Sequence, residues 1–360
     1  MIIVRSPLRV SFFGGGTDHP TWFKGPGSGR GAVLSTSINK YVYLTLRQLP
    51  PIFDFKYRVA WSIVEQVKEI ADIRHPVVRE VLRHYADEKC GYEVSFNSDL
   101  PARSGLGSSS AFTVAALNAI SKHCNRTLTK HELCAEAIKI EQDYLQEPVG
   151  CQDQVAVGYG GFNRIDFHKD GAFTVNPVDI SPKRLRAFEG HIMLFFTGFT
   201  RDAGNIEKAK FQNITPEKEK SLNTLYDLVD KAQNIVEDPR ASLSDFGYLL
   251  DETWQAKRSL SKEVSNPAID GIYDTAVANG AYGGKLLGAG GGGFLLFFVP
   301  PDRQEKVRSA IRTLSADWDH PPVEVPVSFE SEGCTTVLYQ PDYDSSHIYE
   351  FGKKDLIKYA

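Results

Sequence analysis

The sequence predicts an α/β or α+β enzyme of two packed domains, and three observations carry that prediction. The chain has 360 residues, more than one minimal core uses at roughly 100–200 residues per domain. Short strand patterns alternate with helical ones up to about residue 190, after which long helices dominate. Three glycine-dense stretches lie far apart, each beside hydroxyl or charged groups, as if one site were assembled from distant segments. Composition agrees: 42% hydrophobic and 24% charged residues are ordinary for a globular protein. A net charge of -4 provides no broad basic surface, which excludes nucleic acid and anionic membrane as expected partners. The N-terminus Met1-Ile2-Ile3-Val4-Arg5 lacks the apolar core of a signal peptide, and the longest apolar run, Phe294 to Pro301, is far short of a membrane span. Five cysteines without a CxxC pair read as reduced thiols, so the expected location is the cytoplasm.

Taken in order, Ile2–Val4 and Val10–Phe13 read as strands on either side of Pro7, ending in a turn at Gly14-Gly15-Gly16. Gly25 to Gly31 has loop composition, and Tyr41–Leu46 alternates as a strand does. A helix is expected from about Val77 to Ala86, a strand at Tyr92–Phe96, a helix opening near Ala111 with serines as N-cap candidates, and a helix from Lys130 to Leu145. In the second half, buried strands are expected at His191–Phe196 and Phe294–Val299. Helices fall at 203–213, 216–237, 242–262, 267–279 and 303–315, with a last strand at 323–329. Pro177 and Pro182 bracket the expected junction, which divides the chain into domains 1–185 and 186–340 with a tail at 341–360.

Gly105-Leu106-Gly107-Ser108-Ser109-Ser110 follows a strand and opens a helix, where free N–H groups and the positive end of the helix dipole favour a phosphate. The same residues would also serve an ordinary turn with a serine cap. Gly288 to Gly293 satisfies GxGxxG and Gly27 to Ala32 its looser form, but neither stands between a strand and a following helix as a dinucleotide site requires. No GxxxxGK[ST] is present, which removes the P-loop.

Three segments together, Pro7 to Asp18, Pro101 to Ala111 and Lys285 to Phe294, resemble the three motifs of the GHMP small-molecule kinases, the family of galactokinase, homoserine kinase and mevalonate kinase. The resemblance spans roughly residues 1 to 330. It implies a two-domain α+β fold, ribosomal S5 domain 2-like at the N-terminus and ferredoxin-like at the C-terminus, with ATP and Mg²⁺ in the cleft between. Pro101, Gly105, Leu106, Gly107, Ser108, Ser109 and Ser110 would then surround the nucleotide phosphates, and Trp61 and Ser62 would flank the adenine. Ser109 and Glu141 would hold the metal, although by its residues alone Glu141 reads as a solvated helix charge. Asp153 matches the aspartate that faces the acceptor hydroxyl, as base or as orienting group, and Arg9 the arginine that pairs with it.

On the acceptor side, Gly15, Gly16, Thr17, Asp18, Gln152, Gly290 and Gly291 fall at the family's substrate positions. Gly15-Gly16 replaces the Glu-His of galactokinase, which leaves space for a bulkier sugar. The run Phe12-Phe13-Gly14-Gly15-Gly16-Thr17-Asp18 and the segments Gly150–Gln154 and Phe196–Arg201 look like the branch of kinases that phosphorylate D-glycero-D-manno-heptose 7-phosphate, with fucokinases as near relatives. A small-molecule sugar phosphate is therefore the expected partner. A phosphorylated substrate needs a cation, for which Arg201 and then Lys208 are the candidates. An unphosphorylated hexose acceptor and a silent sugar sensor remain the alternatives, and the chain is expected as a monomer or a homodimer.

Overall fold

The computed structural model describes residues 1–25, 29–199, 211 and 214–340. The elements of the first half are β1 (Ile2–Phe13), α1 (Pro20–Phe23), β2 (Arg30–Leu49), β3 (Tyr57–Ala60), β4 (Val64–Val67), α2 (Pro76–Tyr85), β5 (Gly91–Ser98), α3 (Ser108–His123), α4 (Lys130–Lys139), α5 (Gln152–Tyr159), β6 (Phe162–His168), β7 (Phe173–Pro177) and α6 (Pro182–Glu189). Those of the second half are β8 (Ile192–Phe196), α7 (Pro216–Glu237), α8 (Leu243–Arg258), α9 (Pro267–Ala278), β9 (Gly283–Leu286), β10 (Phe294–Phe298), α10 (Gln304–Leu314), β11 (Val323–Glu324), β12 (Phe329–Glu330) and β13 (Thr335–Tyr339). Among the described residues the larger sheet has nine strands. Its path is β13-β1-β2-β5-β3-β4, with β6 and β12 also paired to β2, and β7 to β6.

Pro7 does not split the first strand as expected; it sits at a register shift in the β1–β2 ladder, where a missing N–H is tolerated. Likewise the expected loop through Gly31 ends early. Strand β2 is 20 residues long, its first part paired to β6 and its last to β5, so one strand carries both halves of the sheet. The helix expected from Lys130 to Leu145 stops being α-helical at Lys139 and finishes as a π-helical turn over Ile140–Tyr144, which re-aims the side chains that follow. The hairpin β6–β7 and the strand β9 lacked a sequence signal strong enough to anticipate.

In the second sheet the order is β11-β8-β10-β9, that is four-one-three-two by position in the chain, with every pair antiparallel. This is the ferredoxin-like arrangement, and it confirms the two-domain fold implied by the resemblance. The boundary at 185 is crossed in two ways. Strands β12 and β13 return to the first sheet, against β2 and β1, so residues 329–339 do not belong with the second sheet. The core is also shared: Phe12 packs edge-on against Phe162, Phe188 and Phe246 at 5.5–5.6 Å, and Phe188 reaches Phe298 at 5.1 Å. The helix expected at 203–213 and the tail 341–360 lie outside the described residues, Phe211 apart. Among the described residues no helix is long and apolar enough to cross a membrane.

Candidate active site

Helix α3 provides the first part of the site. Its N-cap is Gly107, not a serine, and no side chain caps it, so the first-turn N–H groups of Ser108, Ser109 and Ser110 are left to a ligand. Gly107 has φ 73°, and a Cβ there would stand 3.1 Å from Arg9 Cγ and 3.4 Å from Asp153 Oδ2, so a larger residue would be strained and would push on both. The helix behind is buried on nearly every face, from Ala111 to Ile120, which fixes the direction of its N-terminus.

Arg9 on β1 ties three segments together at this point. Its Nε and Nη2 donate to Asp153 Oδ1 and Oδ2, both at 2.8 Å, and its Nη1 donates to the Gly105 carbonyl at 2.5 Å. The Arg9 backbone N–H donates to Leu106 O at 3.0 Å. The guanidinium is only 3% exposed and the Asp153 carboxylate 26%, so the arginine is the buried support and the aspartate the face shown to the cleft. Two parallel charge-assisted bonds fix the carboxylate plane. The expected pairing is present, and Asp153 sits in the first turn of α5, across from the start of α3.

Glu141 is buried on the π-helical turn. Its Oε2 accepts from Ser110 Oγ at 3.0 Å and from Gln154 Nε2, while its Oε1 has no hydrogen-bond partner among the described residues. Burial pushes its carboxyl up to about 7. A buried oxygen without a partner, beside serine hydroxyls and the open end of a helix, is a donor set that fits a hard cation such as Mg²⁺. The family resemblance implies Ser109 as the metal serine. Ser110 is the one that touches Glu141, and Ser109 is exposed in the cleft. Among the described residues no cluster of three histidines, cysteines or carboxylates could hold a metal, so any magnesium shell would be completed by water and phosphate oxygens.

Beside Gly15 and Gly16, Asp18 is buried and tightly held: Oδ1 accepts from Gly16 N at 2.8 Å and Gln152 Nε2 at 3.1 Å, and Oδ2 from Gln152 N at 3.2 Å. Thr17, expected on the substrate, is wholly buried, and its hydroxyl donates to Gly14 O or Ala32 O, both at 2.8 Å, and accepts from Ala32 N at 3.0 Å. It builds the turn and does not face the cleft. Gly15 and Gly16 do line it, and a side chain at Gly15 would meet nothing closer than Gln152 Nε2 at 3.6 Å, so there is room beside it. His19, stacked on Phe211 at 4.0 Å, closes this end.

These groups open into one cleft of about 570 Å³. Its far end is aromatic: Trp61, His75, Phe96 and Phe112 line it together with Pro76 and Val77. Of these only Trp61 was anticipated. Ser62, Pro101, Leu106 and Gly291 were expected to touch ligand and do not line the cleft: Ser62 and Pro101 are exposed outside it, Leu106 is buried under it, and the Gly291 N–H is spent on Val264 O. Gly290 does line it, as does Gly105. Two buried lysines on its wall were missed. Lys257 Nζ donates to Leu286 O and Gly288 O at 2.7 and 2.6 Å, and Lys285 Nζ to Phe12 O at 2.9 Å. Lys285 opens the third glycine-rich segment, which is its available signal; Lys257, in the last turn of α8, has none. Arg201 and Lys208 lie outside the described residues.

Comparisons with known proteins bear on the family and the fold. The sequence matches the family model described as GHMP kinases N terminal domain over residues 72–161, and that described as GHMP kinases C terminal over residues 239–316. It is 31% identical over 320 residues to the D-glycero-alpha-D-manno-heptose 7-phosphate kinase of Campylobacter jejuni, covering 86% of this chain and 93% of that one. It is 27% identical over 340 residues to the L-fucokinase/L-fucose-1-P guanylyltransferase of Bacteroides fragilis, covering 84% of this chain and 35% of that longer protein. Among solved structures, a D-glycero-D-manno-heptose 1-phosphate kinase from Bacteroides thetaiotaomicron superposes with a TM-score of 0.74 at 22% identity, covering 94% of this chain and all of the other.

Proposed function

The chain belongs to the GHMP kinases and is an ATP-dependent carbohydrate kinase, and from that premise we propose that it phosphorylates the anomeric hydroxyl of D-glycero-D-manno-heptose 7-phosphate. The observation that carries the reading is the Arg9–Asp153 pair standing beside the uncapped start of α3, with a roomy acceptor end at Gly15. The triphosphate lies against the N–H groups of Ser108 to Ser110, and the nucleobase lies toward Trp61 and Phe112. Asp153 accepts a hydrogen bond from the acceptor hydroxyl and takes its proton as that oxygen bonds to the γ-phosphorus. The bond from the γ-phosphorus to the bridging oxygen breaks, and that oxygen leaves on ADP. Arg9 keeps the carboxylate in line throughout.

Glu141, Ser110 and Ser109 would hold Mg²⁺, which supplies charge neutralisation on the phosphate oxygens. Asp18 and Gln152, already fixed to one another, orient sugar hydroxyls at the opposite side of Asp153. The reaction belongs in the cytoplasm, where ATP is available and thiols stay reduced; each of the five cysteines is free.

Product identification tests the acceptor. Incubation with ATP and, separately, heptose 7-phosphate, heptose 1-phosphate, L-fucose and galactose, followed by phosphorus NMR, should show an anomeric phosphate formed fastest on heptose 7-phosphate. A preference for fucose would keep the kinase and replace the sugar. A preference for heptose 1-phosphate, whose anomeric oxygen is already esterified, would move the reaction to another hydroxyl.

A further inference from the structure

The aromatic end of the cleft is organised around a carboxylate that does not line it. Glu65, on the last strand of the larger sheet, is 6% exposed. Its Oε1 accepts from the indole N–H of Trp61 at 2.8 Å and from the backbone N–H of His75 at 3.1 Å, and its Oε2 from the backbone N–H of Arg74 at 2.5 Å. Three donors on two oxygens require an acceptor-only group, so a neutral amide of the same shape would set a donor against a donor. Trp61 comes from the turn between β3 and β4, while His75 is the N-cap of α2, its Nδ1 accepting from Val78 N at 3.4 Å. The two rings meet edge to face at 5.0 Å, and His75 rests on Phe112 at 4.7 Å, on the helix whose N-terminus faces the phosphates. Trp61 itself is 37% exposed, a residue that would swing freely on a surface turn if nothing held its nitrogen.

We propose that Glu65 is the positioning residue for the nucleobase: it locks the Trp61 indole and the start of α2 into one frame, set at a fixed distance from the phosphate-binding start of α3. The proposal rests on the placement of the nucleobase toward Trp61. A base enters a slot whose aromatic wall is already ordered, so less rotamer entropy is lost on binding. Glu65 touches neither base nor phosphate and takes no part in phosphoryl transfer.

Calorimetric binding of MgATP and of magnesium tripolyphosphate, which has the phosphates and no base, separates the possibilities. Glu65→Gln should weaken MgATP about three- to tenfold, the worth of one or two hydrogen bonds, and leave tripolyphosphate unchanged. An equal loss for both ligands would mean a merely structural role and would overturn the proposal. Trp61→Phe keeps a ring and removes the donor; it should weaken MgATP alone, and its loss should be less than additive with that of Glu65→Gln. Full additivity overturns the coupling. Should Glu65→Gln not fold, Trp61→Phe alone decides, since unchanged MgATP affinity there sinks the proposal. Trp61→Ala tests the premise separately. If it leaves MgATP unaffected, the base lies elsewhere and the proposal falls with its premise; if it weakens MgATP while Glu65→Gln does not, only the role of Glu65 falls.

Discussion

At the end of the cleft proposed for the phosphates the wall is built of main-chain N–H groups and glycines, whereas at the end proposed for the acceptor it is built of carboxylates and an amide fixed by side-chain bonds. The first arrangement is set by backbone conformation, by Gly107 at φ 73° and the uncapped turn behind it. The second is set by side-chain bonds, Arg9 to Asp153 and Gln152 to Asp18. A backbone site binds any ligand with the same anionic tail, while a side-chain site can be re-cut for a new acceptor without disturbing nucleotide binding. Chemistry and specificity should therefore be separable from ATP affinity by mutation.

The sharpest way to break that separation is Asp153→Asn. Turnover should fall by about 10²–10⁴-fold, the usual worth of a positioned proton acceptor, with the KM for ATP within a fewfold of wild type. Initial rates at saturating ATP and sugar check this, and near-normal turnover would remove the assigned mechanism. Glu141→Ala sits on the border of the two ends. It should raise the half-saturating Mg²⁺ concentration by about tenfold or more with a smaller effect on sugar KM, read from magnesium titrations of the rate. Next in size, Gly107→Ala places a Cβ on a left-handed residue against Arg9, and about five- to thirtyfold should be lost in kcat/KM for ATP. A loss confined to the sugar would contradict the backbone account.

The smallest effect concerns the aromatic end. Burial lowers His75 from 6.5 to about 4, so the folded state holds the neutral ring. The stability this contributes is complete above the unfolded value of 6.5 and is lost as pH falls toward about 4. Between about pH 7 and about pH 5 that is of the order of 2 kcal/mol. His75→Asn, which keeps an N-cap acceptor, should show a smaller drop in Tm over the same interval than wild type. Equal drops would show that His75 does not titrate this way.

Much of the site was legible because the three glycine-rich segments are local in sequence and their chemistry needs only neighbours. The residues that were missed act across distance. Glu65, His75 and Lys257 carry no signal until β4, α2 and α8 are brought to the cleft. Ser109 and Ser110 differ by a single step along a helix, about 100° of rotation. Which hydroxyl meets Glu141 is decided by the π-helical turn at Ile140–Tyr144, and sequence pattern does not reveal such a turn. Thr17 lies beneath the cleft for a related reason: its hydroxyl is satisfied by Ala32, on a strand whose first residues have loop composition. The return of β13 to the edge of β1 joins the two extremes of the described chain, a pairing that no local pattern announces.

The contact between the second and third glycine-rich segments has a consequence for synthesis. A Cβ at Gly288 would lie 2.4 Å from Gly105 Cα, and the Phe294 N–H donates to Ser104 O at 3.2 Å, so the loop proposed to hold the triphosphate is shaped by residues some 180 positions later. A ribosome-bound chain that has exposed only its first half has every residue of the second motif and lacks the brace that shapes it. On the proposed placement of the triphosphate, nucleotide capture waits for the segment around Gly288 and Phe294, and ATP acts as a ligand of the folded cleft rather than as an early template for it.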